Sequence, residues 1–134
     1  MKRILFLFLG LSILGVSACR KVTEQYYTTP NQTVYYSVNS DSWSSTDGGY
    51  TYVASLSFLQ GDNYINDYDG VLVYISYDGG TTYISVPQTY NGLSYSFSAT
   101  NAKVVLEVQS ANYDQVIANP GNLSVKLVLI PSQK

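Results

Sequence analysis

Residues 50–59 read YTYVASLSFL and residues 93–98 read LSYSFS, two stretches in which large apolar and small polar side chains alternate. Because successive side chains of a β-strand point to opposite faces, this alternation predicts strands with one face in a core and one in water. Similar short runs of β-branched and aromatic residues recur along the chain, and no stretch has the apolar spacing of a long amphipathic helix. The sequence therefore predicts an all-β domain.

The predicted domain extends over 33–134 and is assembled from short strands separated by turn residues. Gly pairs after Asp47 and Asp78, and Gly92 after Asn91, supply the positive φ that tight turns require. Short antiparallel strands in about 100 residues are typical of an immunoglobulin-like β-sandwich, and a small β-barrel is the alternative. Seven strands are predicted, at 33–38, 50–59, 71–77, 81–86, 93–98, 103–109 and 123–130.

Alternation also assigns faces to the tyrosines of these strands. Tyr50 and Tyr52 share a face with the apolar residues that follow them, which predicts that both lie in the core. Tyr74 falls on the opposite face from its two neighbours in the chain. The runs 71–75 and 127–130 are apolar on both faces, as is typical of central strands, and are predicted to be the least exposed.

The N-terminus has the features of a secretory signal. Lys2 and Arg3 precede an apolar run over 4–16, which is shorter than the roughly 20 residues that a spanning helix needs. The following segment, Val16-Ser17-Ala18-Cys19, resembles the lipobox of bacterial lipoproteins, in which a peptidase cuts before a lipid-bearing cysteine. The resemblance implies a signal peptide over 1–18, an anchor on Cys19 and a polar, lipid-anchored tether over 19–32. The alternative is an ordinary cut that leaves a free thiol.

Three further features of the sequence go with this N-terminal segment. Trp43 stands in a tyrosine-rich region, residues 70–75 read GVLVYI and residues 125–131 read VKLVLIP. Together with the lipobox, these features resemble small lipoproteins of Bacteroidota, which implies an outer-membrane location and an all-β fold. Arg20 and Lys21 follow the cysteine, whereas surface-exported lipoproteins of that phylum often carry acidic residues there. Both the periplasmic face and the cell surface therefore stay open.

Charge and residue types exclude several classes of function. The chain has no histidine, which excludes Ser-His and Cys-His catalysis and histidine–metal sites. Beyond residue 21 there are three lysines and nine acidic residues, and this balance disfavours nucleic-acid binding. We therefore predict a protein that is not an enzyme and has no cofactor.

One acidic segment, 62–70, reads DNYINDYDG and offers oxygen ligands that suit Ca²⁺, from Asp62, Asn66, Asp67 and Asp69. It does not match the EF-hand loop, because the acids and the glycine fall at other positions. A polar loop between strands is the main interpretation, and a calcium site is the alternative.

Tyrosine is the compositional anomaly, with 14 residues. Tyrosine suits both sheet pairing and recognition surfaces. Trp43 lies in a polar loop, so it either anchors that loop to the core or forms a ligand platform with exposed tyrosines such as Tyr74 and Tyr83. The sequence predicts an outer-membrane-anchored structural or protein-interaction module of the cell envelope, and glycan binding through that platform is the alternative.

Overall fold

The computed structural model describes residues 29–57, 69–100 and 102–132. The signal peptide and most of the tether predicted from the sequence lie outside these ranges. Within the described part of the chain, no helix has the length and apolarity needed to cross a membrane. The elements are β1 (Gln32–Val38), a 3-10 helix (Ser40–Ser42), β2 (Thr51–Ser57), β3 (Gly70–Ser76), β4 (Ile84–Val86), β5 (Gln88–Tyr90), β6 (Leu93–Ala99), β7 (Lys103–Ser110) and β8 (Leu123–Ile130).

The strands form two antiparallel sheets. The first sheet has the order β1-β8-β3-β4, and the second has the order β2-β7-β6-β5. The central strands β8 and β3 pair at every residue of β3, and β7 and β6 pair at every residue of β6. The predicted β-sandwich is confirmed, and the barrel alternative is wrong because the strands form two separate four-stranded sheets.

The core lies between the two sheets, and alternation selects the side chains that enter it. Along β8 every second residue is buried, beginning at Leu123, and β7 shows the same pattern beginning at Val104. Each sheet thereby presents one apolar face to the other, as aligned sandwiches do. The buried hydrophobic residues are Val38, Trp43, Ala54, Leu56, Val73, Ile75, Val86, Tyr95, Val104, Leu106, Val108, Leu123, Val125, Leu127 and Leu129.

The chain crosses from the first sheet to the second at Pro87, where the sequence predicted one strand over 81–86. Residues 81–83 belong to a turn, β4 has only three residues, and the Val86–Pro87 peptide bond is cis. Proline has no backbone N–H to continue the pairing with β3. The chain then forms β5, an eighth strand that the sequence did not predict. A strand of three residues is too short to show the alternation by which the other strands were found.

The prediction that Tyr50 lies in the core is wrong. Tyr50 is 46% exposed, whereas Tyr52 is half-buried and packs against the core as expected. The strand begins at Thr51, so Tyr50 still belongs to the preceding turn. The alternation that governs a strand therefore does not extend to Tyr50.

Candidate functional site: the tyrosine face

The outer surface of the first sheet carries a row of side chains from four strands. In the register of the sheet, Lys126 of β8 lies between Tyr35 of β1 and Tyr74 of β3, and Tyr74 lies beside Ser85 of β4. These side chains point away from the core because the neighbours of Lys126 along β8 are fully buried. The prediction that Tyr74 lies opposite its apolar neighbours is confirmed.

Aromatic rings surround the ammonium group of Lys126. Its Nζ lies 4.5 Å from the ring centroid of Tyr74 and 4.8 Å from that of Tyr83. Both distances fall within the range of cation–π attraction. The ring of Tyr35 stands 6.1 Å from that of Tyr83 at an interplanar angle of 57°. Two tyrosine rings thereby contact the cation, and Tyr35 lies next to one of them.

Aliphatic side chains extend this cluster along the same surface. Val128 of β8 pairs with Leu72 of β3 and with Thr33 of β1, two positions from the Lys126 row on each strand. Leu72 is 44% exposed, so the prediction that this run is among the least exposed is wrong for its outer side. We call the surface formed by Tyr35, Leu72, Tyr74, Tyr83, Lys126 and Val128 the tyrosine face.

A repeated turn places Tyr83 on this face. Residues 45–52 read STDGGYTY and residues 76–83 read SYDGGTTY, the same pattern of Ser, Asp, two Gly, Thr and Tyr. In the second copy, Ser76 Oγ donates to Asp78 Oδ1 at 2.6 Å and accepts from the N–H of Gly80 at 2.9 Å. The Asp78 carboxylate also accepts from the N–H of Thr82 at 2.8 Å. These bonds fix the path of the chain up to Tyr83.

The first copy of the turn has the same hydrogen bonds. Ser45 Oγ donates to Asp47 Oδ1 and accepts from the N–H of Gly49, both at 2.9 Å. The N–H of Thr51 donates to the Asp47 carboxylate, and this bond is the main cause that lowers the pKa of Asp47 to about 2. The Ser76 hydroxyl, followed by the N–H of Thr82, lowers the pKa of Asp78 to about 2. We considered each turn separately and missed the repeat, although the sequence alone shows it.

Glycine is required at the second position of each Gly pair. Gly80 has a φ of +94°, and a Cβ there would stand 3.1 Å from the Tyr83 hydroxyl oxygen. Gly49 has a φ of +96°, and a Cβ there would stand 3.0 Å from Val116 Cγ1 and 3.8 Å from the Tyr52 hydroxyl oxygen. In both turns the closing tyrosine therefore folds back over a glycine.

Trp43 is a core anchor rather than part of this face. It is 7% exposed, and its Nε1–H donates to the carbonyl of Gly121 at 2.7 Å. The loop around it is tied to the same segment, since the N–H of Ser40 donates to Asn122 Oδ1 and Asn119 Nδ2 donates to the carbonyl of Ser40. The platform considered for glycan binding joined Trp43 to Tyr74 and Tyr83. The structure places Tyr74 and Tyr83 beside Lys126, and it places Trp43 in the core instead.

A polar cleft adjoins the tyrosine face. Ser37, Ser124 and Ser76 lie in one row across β1, β8 and β3, two positions from the row of Lys126. Together with Asn39 and Asn122 they line a cleft of about 250 Å³, which we call the serine cleft. Only uncharged hydroxyl, amide, aromatic and aliphatic groups line it.

A second tyrosine cluster lies at the side where β5 and β6 meet the β3–β4 turn. Tyr77 stacks on Tyr90 with centroids 4.9 Å apart and meets Tyr95 edge-on at 5.7 Å. Burial, with a smaller effect of Tyr95, raises the pKa of Tyr77 well above its usual value. Gln88 Nε2 donates to the Tyr77 hydroxyl at 3.3 Å. These contacts join the turn after β3 to β5 and β6.

The remaining predicted site residues lie mostly outside the described ranges. Cys19 does so, and so do Asp62, Asn66 and Asp67 of the calcium segment, so both remain predictions. Asp69 is described, and its Oδ1 accepts from the N–H of Ser132 at 2.9 Å. Among the described residues, no group of three or more His, Cys, Asp or Glu side chains is placed to hold a metal ion.

Comparison with protein-family models, with curated proteins and with solved structures finds no match to this chain. Its function must therefore be argued from the tyrosine face and the serine cleft themselves.

Proposed function

We propose that this chain is a non-catalytic lipoprotein of the bacterial outer membrane whose tyrosine face binds another envelope protein. The envelope location rests on the resemblance of Val16-Ser17-Ala18-Cys19 to a lipobox and on the basic and apolar segments before it. Two or more acyl chains on Cys19 would hold the domain at the membrane, because each buried methylene contributes about 0.8 kcal/mol.

The observation that carries the binding role is the contiguity of the tyrosine face. Single exposed apolar residues are ordinary, but contiguous aromatic and aliphatic patches are typical of contact sites. Tyr35 is 64% exposed and Leu72 is 44% exposed, and the sheet register places them on adjacent rows with Lys126 between two tyrosines. Tyrosine is enriched in protein interfaces, and a sheet holds the backbone beneath its side chains in place, which lowers the ordering cost of binding.

Charge defines the chemistry of the partner. Among the described residues there are only two basic side chains, Lys103 and Lys126, and six acidic ones. Lys126 is the only charged residue of the tyrosine face, so a partner with an acidic group opposite it would be both attracted and oriented. The partner that fits is a protein surface with an apolar centre and a carboxylate in that centre.

The proposal is tested on the full-length chain in its own membranes. Membranes are solubilised in mild detergent, and the size of the complex is compared on native gels for the wild type, Lys126→Glu, Lys126→Arg and Tyr113→Ser. Tyr113 is the matched control because it is 65% exposed and lies in the β7–β8 loop, outside the strands that form the tyrosine face. We expect Lys126→Glu to lose the complex and the other two variants to keep it.

Mass spectrometry of the gel band identifies the partner protein. If the Lys126→Glu band still contains that partner, or if Tyr113→Ser loses it equally, the proposal is contradicted. A thermal melt of each variant checks that the domain is folded. Lys126 points outward from β8, so its replacement does not open the core.

The serine cleft favours glycan binding as a second candidate. Hydroxyl and amide groups suit the hydroxyls of a neutral sugar, and the adjacent tyrosines offer rings for stacking. The double variant Ser37→Ala, Ser124→Ala would then reduce retardation in gels that contain a neutral polysaccharide, while Tyr113→Ser would not. Equal migration of the wild type with and without polysaccharide would reject this candidate.

A further inference from the structure

The two sheets have four edge strands, and edge strands carry unpaired backbone N–H and C=O groups. The edges of the first sheet are β1 and β4, and those of the second are β2 and β5. Such edges are templates for pairing with another chain, and natural proteins normally shorten, cover or charge them. The four edges of this domain can be compared on that criterion.

Three of the four edges are protected. β4 and β5 have three residues each and are joined through Pro87, which has no N–H to offer. At β2, the N–H and C=O of Val53 both bond to Ser44, at 2.8 and 2.9 Å. The C=O of Ser57, near the end of that edge, accepts from the Tyr36 hydroxyl at 3.2 Å. A new strand therefore has little access to these three.

Among the residues that the structure describes, none protects the fourth edge, β1, in these ways. It is seven residues long, reads QTVYYSV, and contains neither proline nor a charged residue. In the described part of the chain, the backbone hydrogen bonds of β1 are those to β8, and no loop residue bonds to its outer edge. The central residue of this edge, Tyr35, is 64% exposed.

We propose that β1 pairs with β1 of a second copy of this chain, in antiparallel register about Tyr35. This inference goes beyond the proposed function, since it concerns the backbone edge of β1, which borders the tyrosine face at Tyr35, and does not need the partner on that face. The pairing joins two four-stranded sheets into one of eight strands. Tyr35 then lies beside Tyr35 of the second copy, and the two tyrosine faces become continuous.

The sequence of β1 fits a second copy in this register. Thr33 meets Ser37 of the other copy on the outer side, and Val34 meets Tyr36 on the inner side. Every outward residue is thus opposite an outward residue, and no like charges oppose each other, which would weaken the pairing. A two-fold arrangement also closes after two copies instead of growing into a filament.

The segment between Cys19 and β1 is long enough for this antiparallel pair. The 13 residues from Cys19 to Asn31 reach up to about 43 Å when extended, at roughly 3.3 Å per residue. The paired strand is only about 23 Å long by the same measure. Two antiparallel copies can therefore be anchored in one membrane.

The register is tested by cysteine cross-linking of the full-length chain in intact cells. Residues directly opposite in an antiparallel pair have Cα atoms about 4.5–5.5 Å apart, which suits a disulfide. After mild oxidation, Tyr35→Cys should give a disulfide-linked dimer on a non-reducing gel. Because paired thiols are held at a high effective concentration, we expect this band to be about ten times stronger than that of the control, Tyr113→Cys.

Two further variants separate the register from chance collisions. Thr33→Cys and Ser37→Cys should each give little dimer when expressed alone, but a strong dimer when the two variants are expressed together. The wild type, whose single cysteine is Cys19, shows the background.

The result that overturns the inference is a dimer from Tyr35→Cys no stronger than that from Tyr113→Cys. Equal dimer from Thr33→Cys alone also overturns it, since random contact would not respect the register. A disulfide from Tyr35→Cys to another protein shows that a foreign strand occupies the edge, which again rejects the second copy. Thermal melts of the variants confirm that each is folded.

Discussion

Replacement of Trp43 tests whether the polar loop before β2 is held by a buried anchor. The side chain is 7% exposed, packs within the core and donates a hydrogen bond of 2.7 Å to the Gly121 carbonyl. Truncating a buried tryptophan to alanine typically costs about 3–5 kcal/mol, of which a hydrogen bond supplies about 1 kcal/mol. We expect Trp43→Ala to lower the free energy of unfolding by about 4 kcal/mol.

A second substitution divides that cost into its parts. Trp43→Phe keeps a large ring but removes the Nε1–H donor and part of the buried surface, so it should cost about 2 kcal/mol. Tyr113→Ala, at a side chain that is 65% exposed, should change stability by less than about 0.5 kcal/mol.

The assay is guanidinium unfolding of the chain produced without its first 19 residues, followed by far-UV circular dichroism. Fluorescence is unsuitable because Trp43 is the only tryptophan. A loss under about 1 kcal/mol for Trp43→Ala would refute the anchor, and an equal loss for alanine and phenylalanine would refute the role of ring packing.

Three further predictions concern the repeated turns and the anchor. Because the folded-state pKa values of Asp47 and Asp78 are lowered to about 2 from an ordinary 3.8, their stabilisation is complete above about pH 4 and is lost as the pH falls towards 2. The melting temperature should therefore fall over that range, and it should fall less in the double Asp→Asn variant; an equal fall would contradict this. Gly80→Ala should cost about 1–3 kcal/mol in denaturant unfolding, more than Gly79→Ala, whose φ of +72° is less strained and whose Cβ would meet no atom within 4 Å. Cys19→Ala should give an uncleaved or mislocalised precursor, whereas an unmodified Cys19 in the mass spectrum of the mature wild type would contradict the lipid anchor.

Alternation predicted most of the fold because each strand has one wet face. The pattern on residues 51–57 and 93–98 depends only on which side faces the core, and the local sequence is enough to show it. β5 was missed because its pairing is decided by Pro87 and by contacts with β6. Tyr50 was misplaced because the Asp47 turn, not a strand, sets its direction.

The tyrosine face could be predicted only in part. Strand alternation alone placed Tyr74 outward, but its contact with Lys126 depends on the register between β3 and β8, which distant parts of the chain decide together. The place of Tyr83 depends on the turn hydrogen bonds of Asp78, for which the repeat was a readable signal. Trp43 had two interpretations because the polar residues around it do not indicate whether its side chain is buried or exposed.

The central claim is that the tyrosine face contacts another envelope protein, and site-specific photo-cross-linking tests it most directly. A benzophenone amino acid replaces Tyr74 in one full-length chain and Tyr113 in another, and the cells are irradiated intact. We predict one discrete adduct with a second envelope protein from position 74 and none from position 113. No adduct from position 74, or the same adducts from both positions, would contradict the account.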